Sequence, residues 1–545
     1  MKMKARNWVI PMMVAAIFGS QTDIASASER ESLEEVRATT MSLIELLVQE
    51  GVLSKEKADA LLKQAQLAKQ KAREEAEAAA VATPEGAVAE KPAEGQPKAI
   101  RVQYVPEHVK NEMRAEIEQE VMKKLNYKAG ERLGVPEWID RIEWTGELRL
   151  RYQEDMFSEN NAIPGLLASS DVRNVDVNNS TEDRERHRIR ALFGANLHIN
   201  EWLTGGIRFQ TGLLQTPVTP NQTEGFSQGK FVFGLDRAFL EAKPYDWLTL
   251  TGGRFANPFF TSNRIFGTDL IWDPDLAFDG FVASANPVIN KNWKLFSNVG
   301  AYPIEEIESS NTNKAKDKWL YAAQGGVEWT SSNNSKVKLG VAFYDFKNVE
   351  GELNPLGDPT RYAGTVPLWR QKGNNTFSVD RLNANLCSTG GPCGLASQFQ
   401  LINFTGEVDL AVFDPVHVIL HGAYVKNIGF DAQEIARRTG TPLNTYKEEN
   451  EGYEVSLLVG HPIIKKLHDW QVSGGYRRLE ADAVMDGFTD SNFHLGGTDA
   501  KGFFIGAQYG IGKNAWLSSR YISTDEISGL PFSVDTFFVD LNGRF

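Results

Sequence analysis

The sequence predicts an all-β transmembrane barrel of about sixteen antiparallel strands, preceded by a helical N-terminal segment. Three observations predict it. From Ile142 to Phe545 oily and polar residues alternate with period two, mostly in stretches near the ~9–11 residues a tilted spanning strand needs. The connections between these stretches alternate short and long without a break. The last stretch, Ser533 to Phe545, sets Phe537, Val539, Leu541 and Phe545 against Thr536, Asp540, Asn542 and Arg544, with Phe538 the one misfit on the polar face, and stops on an aromatic carboxy-terminus.

The composition agrees. Over 545 residues, 41% are hydrophobic and the mean hydropathy is −0.34, which excludes a bundle of apolar helices but suits strands that show lipid only every second residue. The formal net charge of −13 argues against a nucleic-acid partner, which needs a basic surface.

Residues 1–27 read as a secretory signal: Lys2, Lys4 and Arg6, an apolar run from Trp8 to Phe18, and Ala25-Ser26-Ala27 as a cleavage site. The mature chain then starts at Ser28, beyond the inner membrane. Residues 28–82 carry two helices, with Leu33, Val36, Leu43, Ile44, Leu46 and Leu47 at helical spacing and Gly51 ending the first. Residues 83–105 are a Pro/Ala/Glu linker and a short extended segment. Within 106–141 a helix puts Val109, Met113, Ile117, Val121 and Leu125 on one thin stripe, which either pairs with copies of itself as a coiled coil or rests on a neighbouring domain. This polar leader belongs in the periplasm.

Residues 142–545 form the barrel. The predicted strands are Ile142–Gln153, Arg184–Ile199, Leu203–Leu214, Lys230–Pro244, Leu248–Phe255, Leu276–Pro287, Trp293–Tyr302, Trp319–Thr330 and Lys336–Lys347. After a long insertion come Phe399–Phe413, Val416–Asn427, Glu451–Pro462, Asp469–Ala481, Ala500–Tyr509, Ala515–Ser523 and Ser533–Phe545. Aromatics gather at strand ends (Trp202, Tyr245, Trp247, Trp293), where membrane–water girdles lie. Mid-strand arginines share parity with the polar residues; on the lipid face each would cost ~2–4 kcal/mol. A soluble sandwich has the same periodicity. The signal peptide, even strand count, loop alternation and terminal Phe decide for the barrel.

The leader LIELLVQEGVLSKEKADALL, the first strand IEWTGELRLRY, the segment GGRFANPFF with DLIWDPDLAFDG, and the closing VDLNGRF together resemble the bacterial putative-porin family, relatives of the general and phosphate-selective outer-membrane porins. The resemblance implies a sixteen-stranded homotrimeric channel in the outer membrane, contacting lipid, passing small hydrophilic solutes or ions, and presenting Phe545 as a signal to the barrel-assembly machinery. In such porins the third long loop folds into the lumen. Here that is residues 256–275, with Asn257, Arg264, Asp269, Asp273 and Asp275 as constriction residues. They would face a basic ladder of Arg149, Arg151, Arg188, Arg190, Arg208, Arg237 and Arg254, extended by Arg477 and Arg520. Opposed acid and base rows set up a transverse field that orients polar solutes. The bland alternative is that these arginines only pair within the wall.

Cys387 and Cys393 are spaced to close a small loop disulfide in an oxidising compartment, with a two-ligand metal site as the weaker reading. They sit in the insertion 348–398, expected as an external lid, surface epitope or trimer contact. No cofactor or metal is implied. Gly510-Ile511-Gly512 joins two strands with no helix to receive a phosphate, His417 and His421 lie ~13 Å apart on a strand, and neither Gly-x-Ser-x-Gly nor His-Glu-x-x-His occurs, so an enzyme is not expected. The remaining competitor to a channel is a structural or adhesive barrel tethered by its periplasmic helices.

Overall fold

The computed structural model describes residues 138–170, 173, 177–261, 269–383, 387 and 391–545, all in the second of two units, Glu107–Phe545. The expected signal peptide, both leader helices, the linker, nearly all of 106–141, and Arg264 lie outside the described residues.

Sixteen long strands follow in chain order: β1 (Ile142–Phe157), β2 (Arg184–His198), β3 (Leu203–Thr211), β4 (Phe233–Tyr245), β5 (Leu248–Ala256), β6 (Ala277–Ala285), β7 (Trp293–Glu305) and β8 (Lys318–Thr330). The second half comprises β9 (Lys336–Lys347), β10 (Gln400–Phe413), β11 (Val416–Asn427), β12 (Glu451–Gly460), β13 (Trp470–Leu479), β14 (Ala500–Gly512), β15 (Ala515–Glu526) and β16 (Ser533–Arg544). Each pairs antiparallel with the next, and a two-residue strand, Gln222–Thr223, is added beside β2. The sheet closes because β1 pairs with both β2 and β16, so neither edge is left unpaired. At the seam Gly146 and Phe545 exchange two backbone hydrogen bonds of 3.0 Å. The Phe545 ring lies over Gly146, where even a Cβ would come within 2.1 Å of it.

Burial is inverted relative to a soluble protein. On β1, Leu148 and Leu150 are 53% and 52% exposed, while Arg151 and Gln153 are 5% and 3% exposed. That is the arrangement of strands whose oily face meets lipid and whose polar face lines a lumen.

Several strands run past their predicted ends on the long-loop side: β1 to Phe157, β7 to Glu305, β15 to Glu526. The alternation stops there, but the ladder does not; Glu154 to Phe157 stay paired with Val534 to Phe537.

Strands β6 to β9 depart from the two-faced pattern. Phe281, Val299 and Val341 face outward, yet Phe278, Val282, Tyr302, Leu320, Tyr344 and Phe346 are buried on the inner side. They join a single apolar cluster with Phe259, Ile271 and Trp272 of the loop after β5, Leu395 and Phe399 at the end of the insertion, and Val484 and Met485 of the loop after β13. The insertion is thus not simply external. Asn374 donates to the carbonyls of Ala481 and Val484 (2.6 and 2.8 Å), Gln371 to those of Asp486 and Thr489 (2.9 and 2.8 Å), and Trp369 Nε1 to that of Gly487 (3.1 Å). The loop after β13 in turn reaches the loop after β5 through Asp273 N to Phe488 O, 2.8 Å. One side of the lumen is filled by packed loops; the wall built by β1, β2, β15 and β16 keeps polar cavities. Cys387 and Cys393 are joined as a disulfide within the insertion, Cα atoms 5.3 Å apart.

Candidate permeation site

On β1 and β2 alternate residues point inward, and their register sets Arg149 opposite Arg190 and Arg151 opposite Arg188. Like charges directly across a ladder repel, so each must find its counter-charge elsewhere. Arg151 makes a bidentate pair with Asp540 (2.6 and 2.9 Å) and donates to Asn492 at 3.1 Å. Arg149 donates to Asn542 at 3.0 Å and sits 3.8 Å from both Glu147 and Asp540. Arg190 donates to Asp275 at 3.0 Å and also pairs with Glu147. Among the described residues, Arg188 donates only to neutral oxygens, Gln153 Oε1 at 3.0 Å and the Asn221 carbonyl at 3.3 Å.

Arg149, Arg151, Arg190 and Arg520 line a cavity of about 270 Å³ together with Asp275, Asp540 and Glu147. Opposed charges across a space of this size can orient a dipolar or ionic solute. Elsewhere, Arg208 pairs with Asp236 at 2.6 Å, Arg237 lies 3.5 Å from the same carboxylate, and Arg254 pairs with Asp279 at 2.7 Å. Arg477 is 1% exposed and bonded to Glu454 (2.8 and 2.7 Å), with Asp490 at 3.8 Å and the Phe493 ring 4.7 Å away. Burial holds it in the wall, outside the 270 Å³ cavity.

The loop residues divide. Asp275 alone of the named acids directly bonds a ladder arginine. Asn257 accepts the Phe259 amide at 2.9 Å, and Asp269 accepts those of Ile271 and Trp272 at 3.0 and 2.9 Å. Asp273 accepts Asp275 N at 2.8 Å and Ser491 N at 2.9 Å. These three shape the loop and tie it to the loop after β13. Burial pushes the Asp269 carboxyl above its ordinary range; burial, then Asp275 and Asp490, push Asp273 well above it.

The acids that answer the arginines from the wall, Glu147, Asp236, Glu454 and Asp540, were absent from the sequence-based set. Parity does place Asp540 on the polar face of the closing strand, but parity alone does not pair it with Arg151. Nothing local pointed to Asp490 or Asn492, which arrive on a loop.

A family model described as "Putative porin" matches residues 37–545. The chain belongs to this porin family. It is an outer-membrane channel protein, and its family and fold are those of channels rather than enzymes. The fold is similar to the outer membrane channel DcaP of Acinetobacter baumannii, at 12% identity, covering 74% of this chain and 97% of that one, TM-score 0.39. It is likewise similar to OprB of Pseudomonas putida, at 11% identity, covering 76% and 96%, TM-score 0.41. A loop-deletion variant of OmpT from Vibrio cholerae is similar at 12% identity, covering 74% and 99%, TM-score 0.37. Curated proteins returned no match.

Proposed function

We propose that this porin passes small hydrophilic solutes or ions along an eccentric polar lane beside the β1, β2, β15 and β16 wall, narrowed by the loop after β5 together with the loop after β13. The observation that carries this is the cavity in which Arg190 and Asp275 meet at 3.0 Å. It joins a wall cation to the end of the loop, two residues before β6 begins, while the apolar cluster occupies the opposite side. Planar-bilayer recording tests the reading: resolved, salt-dependent conductance steps support it, and a silent, correctly folded protein favours the structural or adhesive barrel.

The finer parts of the reading are proposals of the same kind. Residues 1–27 direct export, residues 28–141 lie in the periplasm with a coiled-coil stripe at 109–125, three copies assemble, and Phe545 is read by the barrel-assembly machinery. The first strand begins and the last ends at the short-turn rim, which supports a periplasmic leader. Cross-linking in native membranes, giving a ladder that ends at three copies, checks the assembly.

A further inference from the structure

Beyond Gln153, toward the long loops, a second cavity of about 410 Å³ opens above the arginine wall. Its charge is lopsided. Among the described residues, Arg184, Arg186, Arg188, Arg370 and Lys372 line it against one lining carboxylate, Asp155, with Glu526, Asp499 and Asp486 acting on Lys372 from behind the cavity wall. Asp155 is already engaged, pairing with Arg186 and accepting from Gln153 at 2.8 Å. Among the described residues, Arg188 donates to the neutral oxygens of Gln153 and Asn221 and to no carboxylate, and the Nε atoms of Arg186 and Arg188 are buried without a hydrogen-bond partner. Buried guanidinium donors left unmatched are costly, and an incoming oxyanion would satisfy them with charge-assisted, forked bonds.

The site has two jaws. On β2, the spacing of two puts Arg184, Arg186 and Arg188 on one face. On the insertion, Arg370 and Lys372 flank Gln371, whose amide is bonded to the Asp486 and Thr489 carbonyls. That bond holds the second jaw in place.

We propose that this cavity is an oxyanion-binding site at the loop-end mouth, which captures small carboxylate- or phosphate-bearing solutes above Arg151 and Arg190. The inference rests on the porin reading for its purpose but not for its test. Calorimetric titration of the full-length protein in detergent at low salt, with inorganic phosphate or acetate, should give saturable binding. Arg184→Gln combined with Arg370→Gln should raise the dissociation constant at least fivefold, as should Arg188→Gln alone. Lys513→Gln, on a short turn at the far rim, should leave it unchanged. Saturation by phosphate alone or by acetate alone identifies which oxyanion the site takes. Absence of saturable binding by either, or equal affinity in the folded variants, overturns the proposal whether or not the protein conducts. Heat-modifiable gel migration verifies folding, and Arg184→Gln alone, at an exposed position, serves if the double variant misfolds.

Discussion

Phe538 is the residue that breaks the alternation of the closing strand, and its surroundings explain why. It is 1% exposed on the inner face, with the guanidinium carbons of Arg151 and Arg520 at 4.6 and 4.7 Å from its ring centroid. The electron-rich ring attracts each cation by about 0.5–2 kcal/mol per contact, which offsets part of the cost of holding the two arginines close. The period-two pattern could show Phe538 as an exception but not its partners, which come from β1 and β15. Phe538→Leu should keep the barrel and weaken it by about 1–2 kcal/mol, read from the urea midpoint of tryptophan fluorescence in lipid vesicles. Gly280 is a sterner case. Its φ is +138°, and a Cβ there would stand 2.3 Å from the Ala301 carbonyl and 3.0 Å from Tyr302 Cα on the paired strand. Backbone cannot swing aside as a side chain can, so Gly280→Ala should cost about 1–3 kcal/mol by the same measurement.

At the scale of elements, the strands were legible and the loops were not. A strand advertises itself through its own neighbours, two residues at a time. The loop after β13 is held by contacts more than a hundred residues away, such as Asn374 to Ala481, and its sequence carries no period that could announce them. One signal was readable: β6, β8 and β9 contain near-continuous apolar runs, as in FVASA, WLYAA and VAFYDF, the mark of strands with apolar surroundings on both faces, here lipid outside and packed loops inside. That mark foretells a packed filling inside the lumen. The filling carries its own pH dependence. Burial raises Asp482 to about 7; burial, then Glu526 and Glu449, raise Asp499 to about 8 despite its 2.8 Å pair with Arg173. Both thus hold protons more tightly when packed than when released. The stabilisation from protonation is complete below the ordinary value of 3.8 and is lost as pH climbs through 7 to 8. Amide exchange in residues 480–499, corrected for intrinsic rates, should therefore be slower at acid than at alkaline pH. Asp482→Asn with Asp499→Asn should flatten the difference. Asn374→Ala, which removes donors to two buried carbonyls, should loosen the same segment by about 1–3 kcal/mol at every pH.

At the scale of the whole molecule, the barrel is asymmetric in what its interior does. Around β6 to β9 the inner face packs aromatic side chains against folded loops, while along β1, β2, β15 and β16 charged groups meet around open space. The arginine parity made the basic wall visible in the sequence; which acids would face it depended on where two loops fold, and that narrows the expected constriction set. Asp269 and Asp273 spend their oxygens on backbone amides, whereas Asp275 reaches across to Arg190. Selectivity should therefore depend unequally on the three. Asp275→Asn removes a negative charge from the cavity and leaves Arg190 with Glu147 as its remaining partner, so the reversal potential under a salt gradient should move toward the anion value. Asp269→Asn should barely move it, because burial already disfavours the charged form and its side chain points to its own loop. Equal shifts from both, or none from Asp275→Asn, would remove the loop after β5 from the permeation lane.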